Sequence, residues 1–215
     1  MTIPAPRGMR RFFHVPHGTP YPVENSFYGM MLALLTGFFW IDMDAHVTKD
    51  GVVVFGHWAI IRKDSFVLPA WFTAKYGPDP RIGDVYWNDL QKLRTTPIKY
   101  RGRTRVYQYR SAGQVFLQLA KWRFRLLKVA IEIKDSDAFR DPNTYANLTK
   151  LRQACGLKPN RVAIMSLPIW PHQDERFKAA HGHFTTLVQC HGYPKPADFD
   201  TYSKAVDYYR GSWAA

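Results

Sequence analysis

An α/β fold built on parallel strands is what this sequence predicts. Two observations carry the prediction. Apolar runs of strand length alternate along the chain with stretches of helical length, which is the pattern of successive strand–helix–strand units. The breaks between them carry helix caps, helix stops and turn residues in the right places. Right-handed crossovers then leave two architectures, a doubly wound sheet or a barrel, and the alternation alone does not choose between them.

Element by element, Arg11-Phe12-Phe13-His14 reads as a short first strand. Pro16, Gly18, Pro20 and Pro22 then force a loop. Asn25 or Ser26 can cap a helix over Phe27 to Leu35, and Gly37 supplies its stop. Phe38 to Val47 is a buried strand interrupted by Asp42 and Asp44, Asp50-Gly51 a turn, and Val52 to Phe55 a further strand. Arg62 to Arg110 reads as irregular apart from a helix around Trp87 to Arg94. Helices over Ser111 to Trp122, Pro142 to Ala154, Asp174 to Ala180 and Phe199 to Tyr209 then alternate with strands over Leu127 to Ile133, Asn160 to Ser166 and Phe184 to Cys190.

The chain has 215 residues, enough for a single domain over residues 1–215. With 46% hydrophobic and 15% aromatic residues the composition is globular rather than disordered. Thirty Lys and Arg against 17 Asp and Glu give a formal charge of +13. That balance either solubilises the surface or favours anionic partners: phosphate esters, nucleic acid, anionic lipid or a polyanionic wall polymer. Much of the excess lies in Arg101, Arg103, Arg105, Arg110, Lys121, Arg123, Arg125 and Lys128, beside Tyr107, Tyr109, Trp122 and Phe124. A nucleic-acid face can look like this, but no zinc-ligand spacing or nucleic-acid motif accompanies it, and nucleic acid is set aside as a partner. Cys155 and Cys190 have no metal or CxxC spacing and read as reduced thiols. Met1 to Arg11 has no apolar core of a signal peptide, and the apolar run Met30 to Ile41 is too short to span a bilayer. The expectation is a soluble, cytoplasmic protein without a transmembrane segment.

Asp42 and Asp44 are two apart on a strand, so both carboxylates point to one face. They follow Phe38-Phe39-Trp40-Ile41, which should be buried, and two buried carboxylates repel unless something neutralises them. A hard divalent cation such as Mg²⁺ or Ca²⁺ does this well; the alternative is that both face water at a strand end. Glu132 and Lys134 repeat the spacing after Lys128-Val129-Ala130-Ile131, either as part of the same site or as a local ion pair. Acids at the C-terminal ends of successive parallel strands converge on one mouth, where barrel active sites lie. His57, after Val52 to Phe55 and Gly56, can act as an acid or base beside a phosphate. His46, His172, His181, His183 and His191 are read as structural.

Together these residues resemble the glycerophosphodiester phosphodiesterase family. The resemblance rests on Pro22-Val23-Glu24-Asn25-Ser26, Asp42-Met43-Asp44, Thr48-Lys49-Asp50-Gly51, His57-Trp58 and Glu132-Ile133-Lys134, in that order. It extends from Arg11 to Leu167, with Gly83-Asp84-Val85 before a helix and Ser166 in a serine position. It implies a TIM-type (β/α) barrel, incomplete at the C-terminal end. It also implies that Asp42, Asp44 and Glu132, with Glu24 adding a ligand, hold one divalent cation, Mg²⁺ or Ca²⁺. His57 and either His14 or His17 would move protons, and Lys134 would steady the phosphate. The substrate would be a small glycerophosphodiester or an anionic glycerol-phosphate polymer. The chain departs from the pattern where an arginine should follow the first histidine, leaving Arg10, Arg11 or Lys63 to replace it, and where Trp58 stands for an Asp. These departures keep open a degenerate barrel that binds phosphate ligands, or serves in an assembly, without cleavage. A whole barrel takes about 250 residues. The strands place barrel positions at His14, Asp42, Glu132, Ser166 and Cys190, so the expectation is closure by a second copy or another protein. The rival is that Arg62 to Arg110 folds over the gap.

Overall fold

A computed structural model describes residues 25–35, 38–100, 102–134, 137–166 and 173–188. The strand expected at Arg11 to His14, the residues His14, His17, Glu24 and Cys190, and the helix expected at Phe199 to Tyr209 lie outside them.

The elements in order are α1 (Phe27–Leu35), β1 (Trp40–Val47), β2 (Val53–Phe55), β3 (Phe66–Val67), α2 (Ala70–Tyr76) and α3 (Trp87–Leu90). Then come β4 (Arg94–Thr95), β5 (Ile98–Tyr100), β6 (Arg103–Arg105), β7 (Arg110–Ser111), α4 (Ala112–Ala120) and β8 (Lys128–Ile133). The chain continues through α5 (Pro142–Ala154), β9 (Val162–Ser166), α6 (Gln173–Ala180) and β10 (Thr185–Val188). Local chemistry sets several ends. Ser111 caps α4 in a capping box with Gln114. Asp141 caps α5 with Pro142 behind it, and Gly156 leaves that helix at φ 67°.

The main sheet runs β10-β9-β8-β1-β2-β7. β1, β8, β9 and β10 are parallel neighbours in chain order, so each crossover steps in the same direction. A doubly wound sheet would reverse direction at a switch point. The two faces agree with that. Ile41, Met43 and Ala45 of β1, Val129, Ile131 and Ile133 of β8, and Val162 and Ile164 of β9 pack with residues of α1, α4, α5 and α6 in one core. The opposite face forms a separate small cluster of Trp40, Ala130, Ala163 and Met165. Helices on one face and a filled inner face on the other are the layout of a (β/α) barrel wall. The described residues form an open arc of it. No described strand pairs with the outer edge of β10.

Arg62 to Arg110 is not irregular: it holds α2, α3 and the short strands β3 to β6. The helix expected at Trp87 to Arg94 stops at Leu90, because Arg94 and Thr95 pair with β3. Phe66, Phe72, Ile82, Val85, Leu90 and Leu93 gather on Val54 and Tyr109 in a second core. The segment therefore packs at the β2–β7 end of the sheet and not beyond β10. Among the described residues no helix is long and apolar enough to cross a membrane.

Candidate active site

All eight residues of β1 are buried, so Asp42 and Asp44 do not face water. Parallel pairing sets Asp42 beside Ala130 and Asp44 beside Glu132. Since paired residues share a face, the inner side of the sheet is layered. Asp42 lies with Ala130 and Ala163, and the next layer toward the strand ends holds Asp44, Glu132 and Met165.

Lys134 folds back onto this second layer. Its Nζ lies 2.7 Å from Asp44 Oδ1 and 2.5 Å from Glu132 Oε1, with all three side chains almost wholly buried. It thus provides a counter-charge to the buried carboxylates, and the Glu132–Lys134 pair extends across the sheet to Asp44. Burial opposes the Lys134 ammonium, but Asp44 and Glu132 outweigh it and raise its pKa. Burial likewise pushes the Asp44 carboxyl up, while Lys134, then His57, then hydrogen bonds from Lys134 and Asn25 bring it below the ordinary carboxylate value.

Asn25 clamps Asp44 from the other side. Its Nδ2 donates to Asp44 Oδ2 at 2.9 Å, and its Oδ1 accepts from the Asp44 backbone N–H at 2.9 Å. Capping falls to Ser26, whose Oγ accepts from the Gly29 N–H. The sequence placed Asn25 at the helix start and gave it no part in the site. Its presence inside a matching segment was the available signal.

Gly56 donates its N–H to the Asp44 backbone carbonyl at 2.9 Å, and His57, the next residue, acts electrostatically on the Asp44 carboxylate. A Cβ on Gly56 would meet Tyr109 Cε1 at 2.6 Å, so a side chain has no room there. The His57 ring meets Trp58 edge-on, with centroids 4.3 Å apart. His46 Nε2 lies 3.5 Å from the His57 carbonyl oxygen. Burial holds the His46 pKa down at about 4, so it is neutral near pH 7. The sequence pattern alone gives His46 no role, yet it shares the inner face with Asp42 and Asp44 at the same two-residue spacing.

The Thr48-Lys49-Asp50-Gly51 segment does architectural work. Thr48 Oγ1 donates to Asp50 Oδ1 at 2.7 Å, Gly51 turns at φ 79°, and Asp50 Oδ1 accepts from the Trp87 N–H at 2.9 Å. Lys63 is exposed. Beside His57 a cavity of about 330 Å³ is lined by Asn25, Trp58, Phe66, Gln108 and Tyr109 among others. Phe66 and Tyr109 stack with centroids 4.6 Å apart, and Arg62 stands 5.3 Å over the Trp58 ring.

For a divalent cation, the donor chemistry is suitable: Asp42, Asp44 and Glu132 present carboxylate oxygens on one face. Among the described residues no group of three or more His, Cys, Asp or Glu side chains is gathered as a metal site, and Lys134 lies between two of the carboxylates.

No protein-family profile matches the chain. No curated protein matches it in sequence. Its fold does have counterparts among solved structures. One is a protein from Silicibacter pomeroyi described as a glycerophosphoryl diester phosphodiesterase, with 14% identity over 75% of this chain and 58% of that one, at a TM-score of 0.59. A glycerophosphodiester phosphodiesterase from Agrobacterium tumefaciens gives 15%, 75%, 59% and 0.52. Another from Parabacteroides distasonis gives 15%, 85%, 82% and 0.51. The chain thus spans less than two thirds of the first two structures. At these identities the likeness is one of architecture: in fold this chain is similar to these glycerophosphodiester phosphodiesterase structures.

Proposed function

We propose that the chain is a metal-dependent phosphodiesterase that cleaves glycerophosphodiesters, or a glycerol-phosphate polymer, to glycerol phosphate and an alcohol. The observation that carries this is the cluster of Asp44 on β1, Glu132 near the C-terminal end of β8 and Lys134 just past it, with His57 acting on Asp44. In a barrel wall that end forms the reaction mouth.

In this reading Asp42, Asp44 and Glu132 hold one Mg²⁺ or Ca²⁺, with Glu24 as an additional ligand. When bound, the cation supplies Lewis-acid polarisation of the phosphoryl oxygens. Lys134, released from the carboxylates, steadies the phosphate as a point charge. A glycerol hydroxyl of the substrate attacks phosphorus, and the bond to the alcohol oxygen breaks. One of His57 and His14 (or His17) takes the hydroxyl proton while the other protonates the leaving alcohol. Water then opens the cyclic phosphate with the roles reversed. The cavity beside His57 has room for a leaving group.

Turnover of glycerophosphodiesters with and without chelator tests the reaction. Metal-dependent release of glycerol phosphate is expected. No release with Mg²⁺, Ca²⁺ or Mn²⁺ would overturn it. Two observations favour a second reading, a phosphate binder that does not cleave: Trp58 replaces an acid beside His57, and Lys134 is held by two carboxylates. Calorimetric binding of glycerol phosphate without turnover would establish that reading.

A further inference from the structure

The turn between α4 and β8 has no part in the proposed reaction. It lies at the N-terminal end of β8, about 13 Å of strand away from Glu132. Phe124 and Leu127 are fully buried and peg the turn to the core. From beneath, Arg161 donates through Nε to the Leu127 carbonyl at 2.8 Å, and through Nη2 to those of Phe124 at 2.8 Å and Leu119 at 3.2 Å. The turn is thus built rigidly, yet it presents Trp122 77% exposed and Leu126 56% exposed. Phe39, 54% exposed, joins them at the same end, where its carbonyl accepts from the Lys128 N–H at 2.7 Å.

Single exposed apolar residues are ordinary, but three at one end of a sheet are a surface feature. Cations interleave with them. Lys121, Arg123 and Arg125 are exposed, and the Arg125 guanidinium stands 5.0 Å over the Trp122 ring. No Asp or Glu occurs between Asp89 and Glu132. An indole, a phenyl ring and an aliphatic side chain interleaved with Lys and Arg match the boundary between headgroups and acyl chains of an anionic membrane. A nucleic acid would use the cations but not Leu126 and Phe39, and an apolar protein socket would leave the cations without partners.

We propose that this end of the molecule is a peripheral docking surface for an anionic phospholipid bilayer. The surface is independent of the reaction proposed above. Docked this way, the end carrying Glu132 and Lys134 faces away from the bilayer.

Flotation of the full chain with phosphatidylcholine vesicles, with and without phosphatidylglycerol, tests this. The chain binds the anionic vesicles and not the neutral ones, and added salt weakens binding. Trp122→Ser weakens it at least about ten-fold, and Arg123→Ser and Arg125→Ser about five-fold each. All three positions are exposed, and circular dichroism verifies that the variants fold. His57→Ala binds vesicles like the parent chain, which separates this surface from the reaction. Absence of binding to anionic vesicles, or undiminished binding by Trp122→Ser, overturns the proposal. So does a dimer that depends on Trp122 in place of vesicle binding, or oligonucleotide binding tighter than vesicle binding and indifferent to Trp122.

Discussion

Replacing Lys134 by Met keeps most of the side-chain volume and removes the charge that Asp44 and Glu132 share. The contacts at 2.7 and 2.5 Å are each worth about 6 kcal/mol of Coulomb energy at an effective dielectric constant of about 20. Most of that only offsets the desolvation of three buried groups. Loss of one partner leaves the others buried and unbalanced, which destabilises by about 3–5 kcal/mol. Against a total stability of about 5–15 kcal/mol this is a large share. Urea denaturation of parent and variant reads it directly. Adding Glu132→Gln to Lys134→Met should recover part of the loss, because one surplus charge is then gone. A divalent cation should also restore stability, by about 2.7 kcal/mol at a hundred times its dissociation constant. A variant within about 0.5 kcal/mol of the parent would refute the buried-charge argument. A destabilised variant that Mg²⁺ and Ca²⁺ do not rescue would leave the ion cluster standing and remove the cation from the proposed function.

His57→Ala should lower turnover by about 10²-fold or more without unfolding the chain, measured as product release against a circular dichroism control; unchanged turnover removes His57 from the reaction. Gly56→Ala forces a shift of the Tyr109 ring, whose Cε1 would lie 2.6 Å from the new Cβ, and should cost about 1–3 kcal/mol by thermal denaturation. Asp89 accepts from Lys75 Nζ at 2.7 Å, Tyr76 Oη at 2.8 Å and Lys92 Nζ at 3.0 Å, and these bonds hold its carboxyl well below the ordinary range. A lowered folded-state pKa gives stability that is present above the unfolded value of about 3.9 and lost as pH falls below it. Asp89→Asn should therefore cost about 1 kcal/mol at pH 7 and progressively less on acidification, read as melting temperature against pH; a pH-independent difference would refute the assignment.

Much of the site was legible because it is built on local periodicity. A period of two on β1 places Asp42 and Asp44 on one face, and an apolar run of strand length buries them. The same spacing sets Glu132, on β8, and Lys134, one residue past the strand's end. The two-residue rule also reaches His46, although a lone histidine among eight carries little signal in sequence. Element positions were likewise legible wherever caps and stops are local, as at Ser26, Ser111 and Gly156. Arg62 to Arg110 was not, because strands of two or three residues carry no periodicity and exist only through partners elsewhere in the segment.

What the sequence by itself determined is therefore the residue types, their faces and the alternation of strands and helices, since these follow from bonding geometry within a few residues. Tertiary structure decided which groups meet. The register Asp44 to Glu132 lets Lys134 span both carboxylates, and Asn25 is brought from a helix start onto Asp44. It also decided the direction of winding, because the order of parallel neighbours is set by packing between distant segments and leaves no local trace.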